Sequence, residues 1–167
     1  MNKIDETFVV KQVIDFMENK IDSNWHHEKT RKANLHEHGP DIILIGGKRN
    51  SEYFIIECKG KSYAKSTKSA KSINKECWLT ALGQIITRMN VKRFTISKDG
   101  KRITGINRAY KYGLGLYWES AQVALRRIPK KVADVLNLHI FAVNDKGKVK
   151  QFTPSQFGEE YSNELFQ

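Results

Sequence analysis

Two short apolar runs, Asp41–Ile45 and Tyr53–Cys58, flank the segment GGKRNS (residues 46–51), and this arrangement constrains the fold more than any other feature of the chain. In the second run Tyr53 and Ile55 fall on one face of an extended strand, Phe54 and Ile56 on the other. A strand with one solvated face alternates apolar and polar residues. One that is apolar on both faces belongs inside a sheet with helices packed on each side. The glycines, Asn50 and Ser51 between the runs are turn chemistry, so the two runs are predicted to pair as an antiparallel hairpin. A turn centred on Arg49 sets Asp41 directly opposite Glu57, where facing Cβ atoms stand about 4.5–5.5 Å apart.

The rest of the chain supplies partners for that sheet. Residues 5–21 carry Val9, Val10, Val13, Ile14, Met17 and Ile21 at helical spacing, with Asp5 as N-cap. The polar stretch from Trp25 to about Asn34 fits an edge strand. A helix is predicted over 72–89, with Ile73, Cys77, Trp78, Ala81, Leu82, Ile85, Ile86 and Met89 facing inward. Residues 92–111 are basic, with Asp99-Gly100 as a hairpin turn. Strand 112–117, a helix over 119–137 interrupted at Pro129, strand 138–143, a turn at 144–147 and a returning strand 148–152 complete the order. The sum is a mixed α/β chain, and 167 residues predict a single domain over 1–167.

Three ionisable side chains break the apolar pattern of the hairpin: Asp41, Glu57 and Lys59. Glu57 and Lys59 are two apart, so in a strand they share a face. Two carboxylates held opposite one another repel unless a cation lies between them. Mg²⁺ takes hard oxygen ligands and keeps several waters, leaving room for a phosphate oxygen, and the Cys58 carbonyl is a further candidate ligand. An ammonium at Lys59 is suited to stabilise charge on a phosphoryl transition state. Taken as a bare pattern, the same residues also fit a Glu57–Lys59 salt bridge at a strand end, with Asp41 as a turn residue after proline.

Charge adds a partner class. The net charge is +11, and from Lys48 to Lys111 there are 16 Lys/Arg against four acids, so the whole excess lies in the middle third. Its densest part, Lys59 to Lys75, holds six lysines and no acid. Such a block is a solvated loop, a phosphate-binding segment or an anionic-membrane contact. The apolar face that an interfacial helix needs is missing, which favours nucleic acid. No apolar run is long enough to span a membrane. The acids in the first ten residues argue against a signal peptide, so a cytoplasmic protein is expected. Two cysteines without a C-x-x-C pair suggest neither disulfides nor a zinc knuckle. The histidines at 26, 27, 36 and 38 lack metal-site spacing.

The stretch Pro40-Asp41, fifteen residues, then Glu57-Cys58-Lys59 followed by Gly60 resembles the signature of the PD-(D/E)XK nuclease superfamily. The resemblance covers most of the chain. It implies a restriction-endonuclease-like core: a central mixed sheet flanked by helices in the order α-β-β-β-α-β-α-β. It also implies a Mg²⁺-dependent DNA endonuclease, with Mn²⁺ able to substitute, in which Asp41, Glu57 and the Cys58 carbonyl hold the metal and Lys59 assists the attacking water. Members often carry an acidic residue in the first helix that joins the metal site; here Glu6 shares the face of Val9 and Val13, and Glu18 is the second candidate. Some branches place a glutamine on the helix after the signature with an aromatic four residues later. Gln84 matches and would position substrate or water, but Arg88 stands in the aromatic's place.

The expected nucleic-acid contacts are Lys61, Lys65, Lys68, Lys71, Lys75, Arg88, Arg93 and Arg102. DNA, duplex or branched, is the expected partner; RNA is also compatible, and a homodimer would let one small domain cut two strands. Two other readings stand beside this one. The first is a nucleic-acid-binding protein of the same fold that does not cut, and the second is a basic adaptor for an acidic protein.

Overall fold

A computed structural model describes residues 4–19, 25–27, 40–46, 52–61, 67–89, 95–96, 102–103 and 109–161; within these, the side chains of 67–74, 95–96, 102–103 and 109 lie outside the description. The fold is α/β. Helix α1 (Glu6–Glu18) is followed by β1 (His26–His27), β2 (Ile42–Gly46) and β3 (Glu52–Lys59). Next come α2 (Thr67–Arg88), the short pair β4 (Thr95–Ile96) and β5 (Arg102–Ile103), and β6 (Ala109–Tyr117). Helices α3 (Trp118–Arg127) and α4 (Lys130–Leu136) precede β7 (Leu138–Val143), β8 (Val149–Phe152) and a short 3₁₀ turn at Pro154–Gln156.

Six strands form one mixed sheet in the order β1-β2-β3-β6-β7-β8. The pairs β1–β2, β2–β3 and β7–β8 are antiparallel, whereas β6 runs parallel to both β3 and β7. Strand β3 is therefore internal, and it is buried from Tyr53 through Cys58, as its two apolar faces require. On one face of the sheet, Val9, Val13 and Met17 of α1 pack with Phe54, Ile56, Cys58 and Phe141. On the other, Trp78, Ala81 and Ile85 of α2 and Ala121, Ala124 and Leu125 of α3 pack with Ile55, Leu114 and Ile140. The alternate residues of β3 thus feed two separate cores.

The register of the β2–β3 hairpin agrees with the expected turn centre. Ile42 faces Ile56 and Gly46 faces Glu52. Continued one step, the ladder sets Asp41 against Glu57. The Asp5 side chain caps α1 by accepting from the Phe8 amide at 2.9 Å. The expected helix over 119–137 is two helices, because proline has no N–H to donate and its ring blocks the preceding turn: α3 closes at Ile128 and Pro129 caps α4. Of the expected inward residues of α2, Ile86 is instead half exposed at 51%. It lies one step beyond the stripe of Trp78, Ala81 and Ile85 and turns to solvent with Leu79. The side chain of Ile73 lies outside the description. The edge strand expected over 25–34 is described only at His26–His27. The expected hairpin around Asp99-Gly100 has its arms in β4 and β5, and its turn lies outside the described residues.

Candidate active site

The end of β3 carries the site. Asp41, just before β2, accepts a hydrogen bond at Oδ2 from the backbone N–H of Cys58, at 2.6 Å. That bond ties the first carboxylate to the strand that bears the second. Glu57 is almost fully buried, with 1% of its side chain exposed, and its Oε1 accepts from Arg88 Nε at 3.0 Å. Lys59, two residues on, donates from Nζ to Oε2 of Glu6 at 2.9 Å. Three carboxylates (Glu6, Asp41, Glu57) thus gather around two cations (Lys59, Arg88).

Gly60 makes the contact with Glu6 possible. A Cβ there would lie 2.2 Å from the carbonyl carbon of Asp5 and 2.4 Å from the amide nitrogen of Glu6. Both are backbone atoms that no rotamer change can move. Because residue 60 has no side chain, β3 passes against the first turn of α1, and the Lys61 N–H donates to the Ile4 carbonyl at 2.6 Å. Gly115 plays a similar part on the neighbouring strand β6: a Cβ there would stand 2.5 Å from Cys58 Sγ. Cys58 itself is fully buried, packed with the α1 core.

These surroundings set the protonation states. Burial raises the Glu57 carboxyl to about 7; the Arg88 hydrogen bond pulls against that, while the Asp41 charge adds to it. Burial would lower the Lys59 ammonium, but the hydrogen bond it donates to Glu6 and the charges of Glu6, Asp41 and Glu57 outweigh it and hold it above its ordinary value. Lys59 is therefore a fixed positive charge near neutral pH and not a proton acceptor. Burial also pushes the Cys58 thiol well up, and the nearby Asp41 and Glu6 charges act in the same direction. It is a small buried packing group, unsuited to act as a nucleophile.

A cleft of about 490 Å³ opens beside Lys59, lined by Asp5, Glu6, Gly60, Lys61, Glu76, Cys77 and Thr80. Glu76, Thr80, Gln84 and Arg88 follow one another at four-residue spacing, a single stripe along α2. The first two reach the cleft and the last reaches Glu57. Gln84 stands between them, and its Oε1 is buried without a hydrogen-bond partner.

Comparison with protein-family models, curated proteins and solved structures finds no match. The site must be read from its own geometry.

Of the expected site residues, Asp41, Glu57, Lys59 and Glu6 converge. The choice between the two acids of α1 falls on Glu6, since Glu18 Oε1 instead accepts from the His27 N–H at 3.1 Å and anchors the edge strand. Arg88, expected as a phosphate contact, is seated on Glu57. Lys61 lines the cleft, with Nζ 4.7 Å from the centre of the Tyr117 ring. Lys75 lies elsewhere, in a second cleft with Glu119, Gln122, Arg126 and Tyr161. Lys68 and Lys71 on α2 and Arg102 on β5 belong to the side chains outside the description, and Lys65, Arg93, His36 and His38 lie outside the described residues. Sequence reasoning missed the Arg88–Glu57 pair and the lining of the cleft by Asp5, Cys77 and Thr80. The four-residue step from Gln84 was the one available signal for Arg88.

Among the described residues, no group of three or more His, Cys, Asp or Glu side chains is placed to hold a metal ion. Asp41 and Glu57 nonetheless suit a hard divalent ion, because Mg²⁺ is commonly held by one or two carboxylates, with water and phosphate completing its shell. Even with Arg88 and Lys59 nearby, burial and the Asp41 charge hold the Glu57 carboxyl at about 7.

Proposed function

We propose that the protein is a divalent-metal-dependent DNA endonuclease with a restriction-endonuclease-like core. The observation that carries the reading is the convergence of Asp41, Glu57 and Lys59 on one end of β3, with Asp41 fastened to the Cys58 amide and Lys59 held protonated. Further support comes from the resemblance of Pro40-Asp41 and Glu57-Cys58-Lys59 to the nuclease signature, from the mixed sheet packed on both faces, and from the positive charge of the central third.

In this reading Asp41, Glu57 and the Cys58 carbonyl would hold Mg²⁺, which polarises a phosphoryl oxygen and makes water a stronger nucleophile near neutral pH. The chain's own residues do the rest. Lys59 presents a fixed ammonium to the scissile phosphate, where negative charge grows during in-line attack. Glu6 aims that ammonium and keeps it charged. Gln84 offers its Oε1 to orient substrate or the attacking water, and Lys61 at the cleft wall contacts the adjoining phosphate. Phosphate contacts of this kind fix the position of the nucleic acid without reading its sequence.

One observation favours the alternative, a nucleic-acid-binding protein that does not cut: Arg88 already neutralises Glu57 in part. A cleavage assay separates the two. Supercoiled, linear, single-stranded and four-way-junction DNA are incubated with the protein in Mg²⁺, Mn²⁺ or EDTA. Nicking or linearisation with either metal and none in EDTA is expected. Binding to these substrates with no cleavage of any of them would transfer the reading to the binding protein.

A further inference from the structure

The Arg88–Glu57 pair is the least expected contact in the site. Arg88 sits in the last turn of α2 and reaches across to a carboxylate on β3 that has 1% of its surface exposed. A buried carboxylate without a cation is costly, so the metal-free site has reason to carry its own. A guanidinium suits the task and, unlike a metal ion, it has another natural partner, since its geometry matches phosphate as well as carboxylate.

We infer that Arg88 is a resident counter-cation, which a divalent ion displaces from Glu57 and a substrate phosphate draws away, so that metal and nucleic acid bind cooperatively. This rests on the nuclease reading above. The charges argue for it. Counted as ionised, Glu6, Asp41 and Glu57 exceed their counter-cations Lys59 and Arg88 by one negative charge. A divalent ion reverses that to one positive charge, and a phosphodiester then neutralises it. If Arg88 kept Oε1 of Glu57 while an ion used the same carboxylate, two cations would stand within a few ångströms of each other in a buried site, where like-charge repulsion is strong. Movement of the guanidinium to phosphate relieves the repulsion and adds a charge-assisted contact. Linkage then makes the effect reciprocal: DNA tightens the metal, and the metal tightens DNA, by the same factor.

The test is calorimetric titration of Mg²⁺ into the full chain, at a pH well above 7 because Glu57 titrates at about 7 in wild type and loss of Arg88 raises it further, with and without a short duplex whose phosphorothioate linkages resist cleavage. Wild type, Arg88→Gln and Glu57→Gln are compared. Arg88→Gln keeps a hydrogen-bond donor for Glu57 but loses the charge. It is expected to bind Mg²⁺ about tenfold more tightly than wild type without DNA, and the duplex is expected to tighten Mg²⁺ about tenfold in wild type and much less in the variant. Should Arg88→Gln fail to fold, Arg88→Lys retains a cation with a weaker grip on the carboxylate and should bind Mg²⁺ a few-fold more tightly. Mg²⁺ binding that depends on Glu57 but is not tightened by either Arg88 variant overturns the inference alone. So does an absence of coupling between duplex and metal in wild type. If wild type binds no Mg²⁺ with or without duplex, the nuclease reading falls and the inference falls with it.

Discussion

Replacing Glu57 with glutamine should change how stability responds to pH, by an amount that follows from the burial of that carboxyl. In the folded protein the group titrates at about 7, against 4.5 when unperturbed. The folded state therefore holds a proton that the unfolded chain releases. Between these two values the native protein binds more protons than the unfolded one, so its stability falls as pH rises. The contribution is fully present below 4.5 and is lost as pH rises through about 7. A displacement of that size is worth about 3 kcal/mol across the window. Glu57→Gln lacks the titration, so the difference between wild type and variant reports Glu57 together with the neighbours its charge acts on and cancels the ionisable groups farther away. The assay is urea unfolding in EDTA at a series of pH values spanning the window. Wild type should lose about 3 kcal/mol relative to Glu57→Gln on going from the acid to the alkaline end. On the metal-dependent function proposed above, adding Mg²⁺ at the alkaline end should restore part of that loss in wild type and none in the variant, because the ion would bind only the ionised, folded site. Two parallel stability curves would refute the reasoning, since they would mean that Glu57 ionises as easily in the folded protein as in the unfolded chain.

Other expectations follow from neighbouring contacts. Gly60→Ala puts a methyl group into the backbone of Asp5 and Glu6; it should cost about 1–3 kcal/mol in urea unfolding and lower any cleavage activity, and wild-type values for both would show that the close approach is not needed. Glu6→Gln leaves an oxygen to accept from Lys59 but removes the negative charge that raises its ammonium. Cleavage should fall about tenfold or more with little change in DNA affinity, and a variant as active as wild type would remove Glu6 from the site. The Cys58 thiol, fully buried and raised well above its usual value, should react with a thiol-specific reagent only after denaturation; rapid labelling of Cys58 in the native protein would contradict its placement.

The hairpin was legible from the sequence because its register is set twice over, by the apolar pattern and by the turn. Slipping β2 by one residue would expose Ile43 or bury charge, so the placement of Asp41 opposite Glu57 followed without any knowledge of the rest of the fold. The N-cap at Asp5 and the break at Pro129 were legible for the same reason: each is decided within a few residues. Contacts between distant elements were not. Whether Arg88 meets a phosphate or Glu57 depends on where the last turn of α2 crosses β3. Helical spacing places Arg88 on a stripe but does not say what that stripe opposes. Ile86 failed for a related reason, since an apolar residue next to the buried stripe of a long helix is inside or outside according to the width of the neighbouring sheet. Gly60 was visible as part of the signature, yet its physical reason, the passage of α1 against the end of β3, is a tertiary fact.

The most direct test of the proposed active site is single-turnover cleavage by wild type and Lys59→Ala in Mg²⁺, with the DNA affinity of both measured in EDTA. Lys59 is one positive charge in a strongly basic chain, so the variant should bind DNA nearly as well as wild type. Its cleavage should fall about a hundredfold or more, as for removal of a group that stabilises transition-state charge. Equal cleavage by the two proteins, or no cleavage by either at equal affinity, would contradict the assignment of Asp41, Glu57 and Lys59 as a phosphodiester-cutting site.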